Sequence, residues 1–224
     1  MAAEKPADDS SLPPELARLP PGRHGLPRDF VAVNHRDRLI AACVQVVGEK
    51  GYVEMTVADV IKEAAVSRRT FYEFFDDKEA CFLAAYDTVF GHFAQRALDA
   101  YSAQEAWPDR VRAGLRAMLQ FLAAEPLLAR LMMVEPLAAG PPLSDHHREG
   151  IGRFASLLDA GREEGAESPA EGTADFVLAG AAFLIIQRII AGEAEQLEEL
   201  LPAILESVLA PYLGPAAAER IARE

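Results

Sequence analysis

Residues 67–72, Ser-Arg-Arg-Thr-Phe-Tyr, gather two guanidinium groups, two hydroxyls and a phenol within six positions. A guanidinium can bond guanine O6 and N7 together, so Arg68 and Arg69 suit the edges of bases in a DNA major groove. Thr70, Tyr72 and the nearby Lys78 suit phosphates, contacts that hold a protein on the duplex without reading sequence. Thr56 stands where its hydroxyl could bond a further phosphate at the start of the preceding helix. Ser67 completes this DNA-facing set and has a second use, since its hydroxyl can accept from the amide of Thr70 and cap a helix.

Such chemistry needs a short helix presented on a firm base. Thr56 and Asp59 have the spacing of a capping box, which predicts a helix from Val57. Val57, Val60, Ile61 and Ala64 then form one apolar face. Ala65-Val66 is long enough only for a turn, and a second helix over about Arg68 to Phe74 follows. Phe71, Phe74 and Phe75 can face inward while Arg68, Arg69, Thr70, Tyr72 and Glu73 stay outside. Helices this short bury little and must lean on neighbours. Two short helices joined by a tight turn, the second polar and basic outside, are the parts of a helix-turn-helix.

The run Thr56-Val-Ala-Asp-Val-Ile, then Ala65-Val-Ser67, Thr70-Phe-Tyr-Glu-Phe-Phe and Asp77-Lys-Glu79 resembles the DNA-binding signature of the tetracycline-repressor (TetR) family. The match covers roughly residues 36–86. Ala65 departs from it, because the family usually has glycine there. The resemblance implies an all-α chain with an N-terminal three-helix DNA-binding head and a C-terminal helical body that binds a small effector and dimerises through its last long helices. The division it suggests is an arm over 1–28, a head over 29–86 and a body over 87–224.

The chain of 224 residues is 50% hydrophobic and carries a net charge of −13. The distribution matters more than the total. Residues 18–72 hold nine Lys/Arg against six acids, whereas residues 91–224 hold eleven against twenty. A basic segment on an acidic body would orient the protein on a phosphate surface. Pro6, Pro13, Pro14, Pro20, Pro21 and Pro27 with little apolar periodicity predict disorder over 1–28. Arg18, Arg23, His24 and Arg28 leave two readings of that arm, a solvated tail or a minor-groove arm. Cys43 and Cys81 lie in apolar helix patterns, as buried reduced thiols do. The N-terminus lacks an apolar signal region, and the run Val177 to Ile186 is short for a bilayer. A soluble, cytoplasmic protein is expected, with no membrane partner.

Beyond the motif, helices are predicted over 35–50, from Lys78 to about Tyr101, from Trp107 to about 124, over 127–134, from Ser144 to about Glu163, over 174–191 and from Glu195 to Leu213. In the helix at 174–191 apolar residues surround most of the circumference, so one side requires a cover beyond the chain's own body. Phe183, Ile186 and Ile190 are the expected dimer contacts, with the 144–163 helix pairing beside them in a four-helix bundle. Met118, Phe121, Met132, Met133, Phe154 and Phe183 are core by default, with an apolar effector pocket as the alternative.

Gly150-Ile-Gly-Arg-Phe-Ala155 matches a dinucleotide fingerprint in letters, yet it lacks the preceding strand. Asp145-His146-His147 puts adjacent imidazoles on different helix faces without a third ligand in helical register. No metalloprotease, P-loop or nucleophile-elbow motif is present. No catalytic set, metal or cofactor is therefore expected. The leading function is a homodimeric transcriptional regulator, most simply a repressor released from a double-stranded operator by a small molecule. The alternatives are an all-α protein–protein adaptor that keeps the helix-turn-helix as packing, and an enzyme using the helical body.

Overall fold

A computed structural model describes residues 28–164 and 167–224. The arm expected over 1–28 lies, but for Arg28, outside them. All regular structure among the described residues is helical, as expected from the absence of alternating strand patterns.

The head is built from α1 (Arg28–Lys50), α2 (Val57–Ala64) and α3 (Arg68–Phe74), with the first turns of α4 (Lys78–Ser102). Helix α1 starts earlier than predicted, because neither proline nor glycine interrupts residues 28–47. Each short helix starts on a side-chain cap. Thr56 and Asp59 form the full capping box, Ser67 accepts from the Thr70 amide at 3.0 Å, and Asp77 accepts from the Ala80 amide at 2.8 Å. Leu39, Cys43, Val47, Val60, Phe71, Cys81 and Phe82 close the core beneath them. Hydrogen bonding with Cys81, together with burial, holds the Cys43 thiol well above its ordinary pKa, so it stays protonated and inert.

Helix α4 runs on into the body and packs along α5 (Trp107–Ala124). A sharp corner at Glu125-Pro126 leads to α6 (Pro126–Met133) and α7 (Glu135–Ala138). The predicted helix from Ser144 to Glu163 is instead three pieces, α8 (Pro141–Gly152), α9 (Ala155–Asp159) and α10 (Gly161–Glu164). Pro141, not Ser144, opens α8; the Ser144 hydroxyl donates to the Pro141 carbonyl inside the first turn. The chain tightens at Arg153 and Phe154, whose amides bond three residues back. Farther on, the Leu157 carbonyl accepts from Trp107 Nε1 at 3.0 Å and from the Tyr101 hydroxyl at 3.2 Å. Side-chain donors of this kind compete with the backbone for a carbonyl and break helices.

Helix α11 (Thr173–Ile190) follows, then a 3-10 turn over Ala194–Leu200, α12 (Leu201–Leu213) and α13 (Pro215–Arg223). The segment predicted as one helix from Glu195 is thus divided at Pro202, which takes an N-terminal position in α12. Helix α13 is an addition to the prediction; it buries Ala218 against α12.

Candidate nucleic-acid interface

The α2–α3 unit owes its shape to local chemistry. Asp59 accepts from the Thr56 amide at 3.0 Å and hydroxyl at 2.7 Å, and from Lys50 Nζ at 2.7 Å. The Lys50 and Thr56 hydrogen bonds hold its carboxyl down at about 2. Helix α2 ends at Ala65 in the left-handed region, φ 51°. Arg38 of α1 reaches over and donates to the carbonyls of Ala64 and Ala65. That guanidinium satisfies the exposed end of α2 and fixes the turn. Sequence reading gave Arg38 no role, since its targets lie 26 and 27 residues away.

Helix α3 is divided cleanly into two faces. Phe71 is sealed in the core, Phe75 follows it, and Phe74 is half-buried. Arg68, Arg69, Tyr72 and Glu73 face solvent, the Arg69 side chain at 90% exposure. Arg69 Nε lies 3.1 Å from Glu73 Oε1. An exposed pair one turn apart contributes only about 0.3–0.5 kcal/mol, so it yields easily to a base edge. Tyr72 stands edge-on to the Phe71 ring, 5.3 Å between centroids, which steadies its hydroxyl end outward. The hydroxyls of Ser67 and Thr70 lie 2.8 Å apart at the head of the helix.

Two expected phosphate ligands are differently engaged. The hydroxyl proton of Thr56 lies on Asp59. Lys78 is turned inward: Nζ donates to the carbonyls of Tyr52 at 3.1 Å, Val53 at 3.3 Å and Met55 at 3.2 Å, and sits 4.5 Å from the Tyr52 ring centre. An ammonium has three protons, and here each has an acceptor. Its geometry is that of a strut for the α1–α2 turn.

In the body, Met118 and Phe154 line an apolar cavity of about 40 Å³, with Tyr101, Leu115, Leu157 and Leu178. Phe121, Met132 and Met133 are buried outside its lining, Phe121 against Phe93 with ring centroids 5.7 Å apart. Phe183 faces outward at 60% exposure. It lines an open groove of about 720 Å³ between α11 and α12, with Phe176, Gly180, Leu184, Ile204 and Pro211. Helix α11 has two apolar stripes. Ala174, Leu178, Ala181 and Ile185 are buried; Phe176, Phe183, Leu184 and Ile190 are exposed, and Ile186 lies between. By length and composition α11 could cross a bilayer, but its buried stripe packs on α6, α9 and α12. The adjacent histidines go separate ways: His147 Nδ1 meets the Tyr86 hydroxyl at 3.0 Å, and His146 Nε2 meets Asp87 at 2.7 Å. Burial, and after it the neighbouring His146, lower the His147 pKa to about 4.

Residues 39–85 match the family described as bacterial regulatory proteins, tetR family. The transcriptional regulator EthR of Mycolicibacterium smegmatis is 29% identical over 133 residues, 57% of this chain and 61% of that protein. The fatty acid metabolism regulator of Bacillus subtilis is 24% identical over 131 residues, covering 58% and 68%. The matched part thus spans less than two thirds of the first relative. Among solved structures, FadR from Bacillus halodurans superposes with a TM-score of 0.69 at 20% identity, covering 78% of this chain and 94% of that one. FadR from B. subtilis in complex with stearoyl-CoA gives 0.67 at 19%, covering 78% and 97%. At such identities these two likenesses show the fold.

Proposed function

We propose that this chain, which belongs to the TetR family through residues 39–85, is a sequence-specific DNA-binding transcriptional regulator, a cytoplasmic repressor that a small effector releases from its operator. The observation that carries the proposal is α3 itself: a capped helix, packed on Phe71 and presenting Arg68, Arg69 and Tyr72. One helix this short reads too few base pairs to be selective, so two copies must read two half-sites. Arg68 and Arg69 take the base edges; Ser67, Thr70 and Tyr72 take phosphates.

The exposed stripe of α11 supports a second copy docking there. Phe176, Phe183, Leu184 and Ile190 form an apolar face of the kind that marks an interaction surface. The groove beside that stripe favours α11 with α12 over α11 with the broken segment 141–164. The effector would enter the body between α4, α5, α9 and α11, where Tyr101 supplies the polar atom in an apolar lining. At about 40 Å³ that cavity is far smaller than ligand sites of 300–1,000 Å³, so this is a closed body and an effector must favour a wider one. An apolar chain suits the lining, and a relative's structure holds stearoyl-CoA.

The test is capture of genomic fragments by the full chain, followed by sequencing. The proposal expects a few enriched fragments sharing a palindrome, bound with strong salt dependence and released by a long-chain acyl thioester. An adaptor would enrich no DNA; uniform enrichment would show charge without reading.

A further inference from the structure

The turn at residues 51–55, which carries the chain from α1 into the helix-turn-helix, is held from both sides. On one side Lys78 of α4 takes the carbonyls of Tyr52, Val53 and Met55. On the other, the Tyr52 amide donates at 2.7 Å to Oε2 of Glu135, the first residue of α7 in the body. Glu135 is 3% exposed. Its other oxygen accepts from Nε of Arg130 on α6 at 2.8 Å. Gly51 makes the approach possible: it has φ 79°, and a Cβ there would stand 3.1 Å from Glu135 Oε2. Just before it, Gly48 faces Leu127 of α6 closely enough that an added Cβ would lie 2.9 Å from Leu127 Cδ2.

A carboxylate at this place needs explaining. It opens α7, whose N-terminal end favours an anion, but it faces the C-terminal end of α1, where the dipole disfavours one. Its partner Arg130 is half-exposed, so the pair offsets little of the cost of burying the carboxylate, whereas a buried carboxylate held on one backbone amide is well suited to fixing one arrangement among several. The bond joins the body's α6–α7 corner to the turn that leads directly into α2. We infer that Glu135 is a positioning residue for DNA binding: by holding the Tyr52 amide it fixes the angle of the helix-turn-helix on the body, and so the separation of the two recognition helices in a dimer. The inference rests on the two-copy DNA-binding reading above and adds its route of control. A shift of α7 caused in the body reaches the head as a pull on, or release of, one amide.

The experiment uses the full chain with Glu135→Ala, Glu135→Asp and Glu135→Gln. Asp keeps the charge but falls short of the Tyr52 amide. Gln keeps an acceptor for that amide and loses the charge. Affinity is measured on one selected half-site and on pairs of half-sites whose separation is varied base pair by base pair. In parallel, pulsed electron paramagnetic resonance reads the distance between spin labels at Lys62→Cys in the two heads without DNA; Cys43 and Cys81 are sealed in the core and do not label. Wild type and Glu135→Gln should show a sharp spacing optimum and a narrow distance distribution. Glu135→Ala and Glu135→Asp should lose about tenfold at the optimum, flatten the spacing profile and broaden the distance distribution, with half-site affinity unchanged. Equal losses on half-site and full site would show a plain structural role and overturn the inference. So would a wild-type distance distribution in both Ala and Asp variants. If Ala fails to fold, Asp carries the same readings. If wild type selects no DNA, the DNA-binding reading falls, and the distance measurement still judges Glu135.

Discussion

The head and the body share one apolar core, but they treat their polar groups differently. In the head each short helix begins on its own side-chain cap, and Arg38 and Lys78 cross over to satisfy carbonyls of the turns. In the body α5, α6, α7, α8 and α12 begin without a side-chain cap, all five on an early proline, and α11 leaves large apolar residues in solvent. The head must hold a few groups in fixed places against DNA, so its backbone is pinned by directional bonds. The body, on the proposed function, takes an apolar effector and a second copy, and non-directional packing serves for both. Altering one region should therefore have consequences unlike those of altering the other.

The largest effect is expected from Phe183→Glu. In one copy this side chain is 60% exposed, so the change should leave the protomer folded. Across a two-fold interface it acts twice, and an unpaired buried charge is costly. Light scattering at micromolar concentration should show a monomer, and operator affinity should fall about a hundredfold or more with the head intact. A variant that stays dimeric would remove α11 from the interface.

Lys78→Met tests the head's directional bonds. Losing an ammonium that serves three carbonyls should lower stability by about 2–3 kcal/mol in urea unfolding, while the salt slope of DNA binding stays as in wild type. A slope lower by about one unit would return Lys78 to the phosphates.

His147 makes the body's stability depend on pH. Its folded pKa of about 4 lies below the ordinary 6.5, so below 6.5 the unfolded chain binds a proton that the folded one refuses. Stability is therefore complete above about pH 6.5 and declines as pH falls toward about 4, by on the order of 3 kcal/mol. His147→Gln should flatten thermal melting across that window. An unchanged slope would assign the loss to other groups.

The smallest effect is at Ala65. A side chain at φ 51° costs about 1 kcal/mol that glycine does not, so Ala65→Gly should raise the melting temperature slightly, offset in part by glycine's greater freedom when unfolded. A lower melting temperature would mean that Arg38 requires the present backbone.

These contrasts also explain what the sequence disclosed. Caps are local: Thr56 with Asp59, Ser67 and Asp77 announce their helices within three residues, and the structure has each of them. The double apolar character of α11 was likewise visible in its own composition. The break of residues 141–164 was hidden, because the groups at the Leu157 carbonyl, Tyr101 and Trp107, lie 56 and 50 residues away. The inward turn of Lys78 was hidden for the same reason, its acceptors being 23 to 26 residues back. Of the six residues considered for a pocket, Met118 and Phe154 meet in one cavity and Phe183 lies on the outer groove. Periodicity marks a residue as inward or outward; it does not say which cavity it borders.

The central claim, that residues 56–78 read DNA in two copies, is tested most directly by selection from randomised duplexes with the full chain and with Arg68→Ala/Arg69→Ala. Wild type should enrich a palindrome with half-sites a whole number of helical turns apart, and the double substitution should lose about 1–3 kcal/mol per arginine and the preference at those positions in each half-site. Enrichment of the same palindrome by both proteins, or of none by wild type, would contradict it.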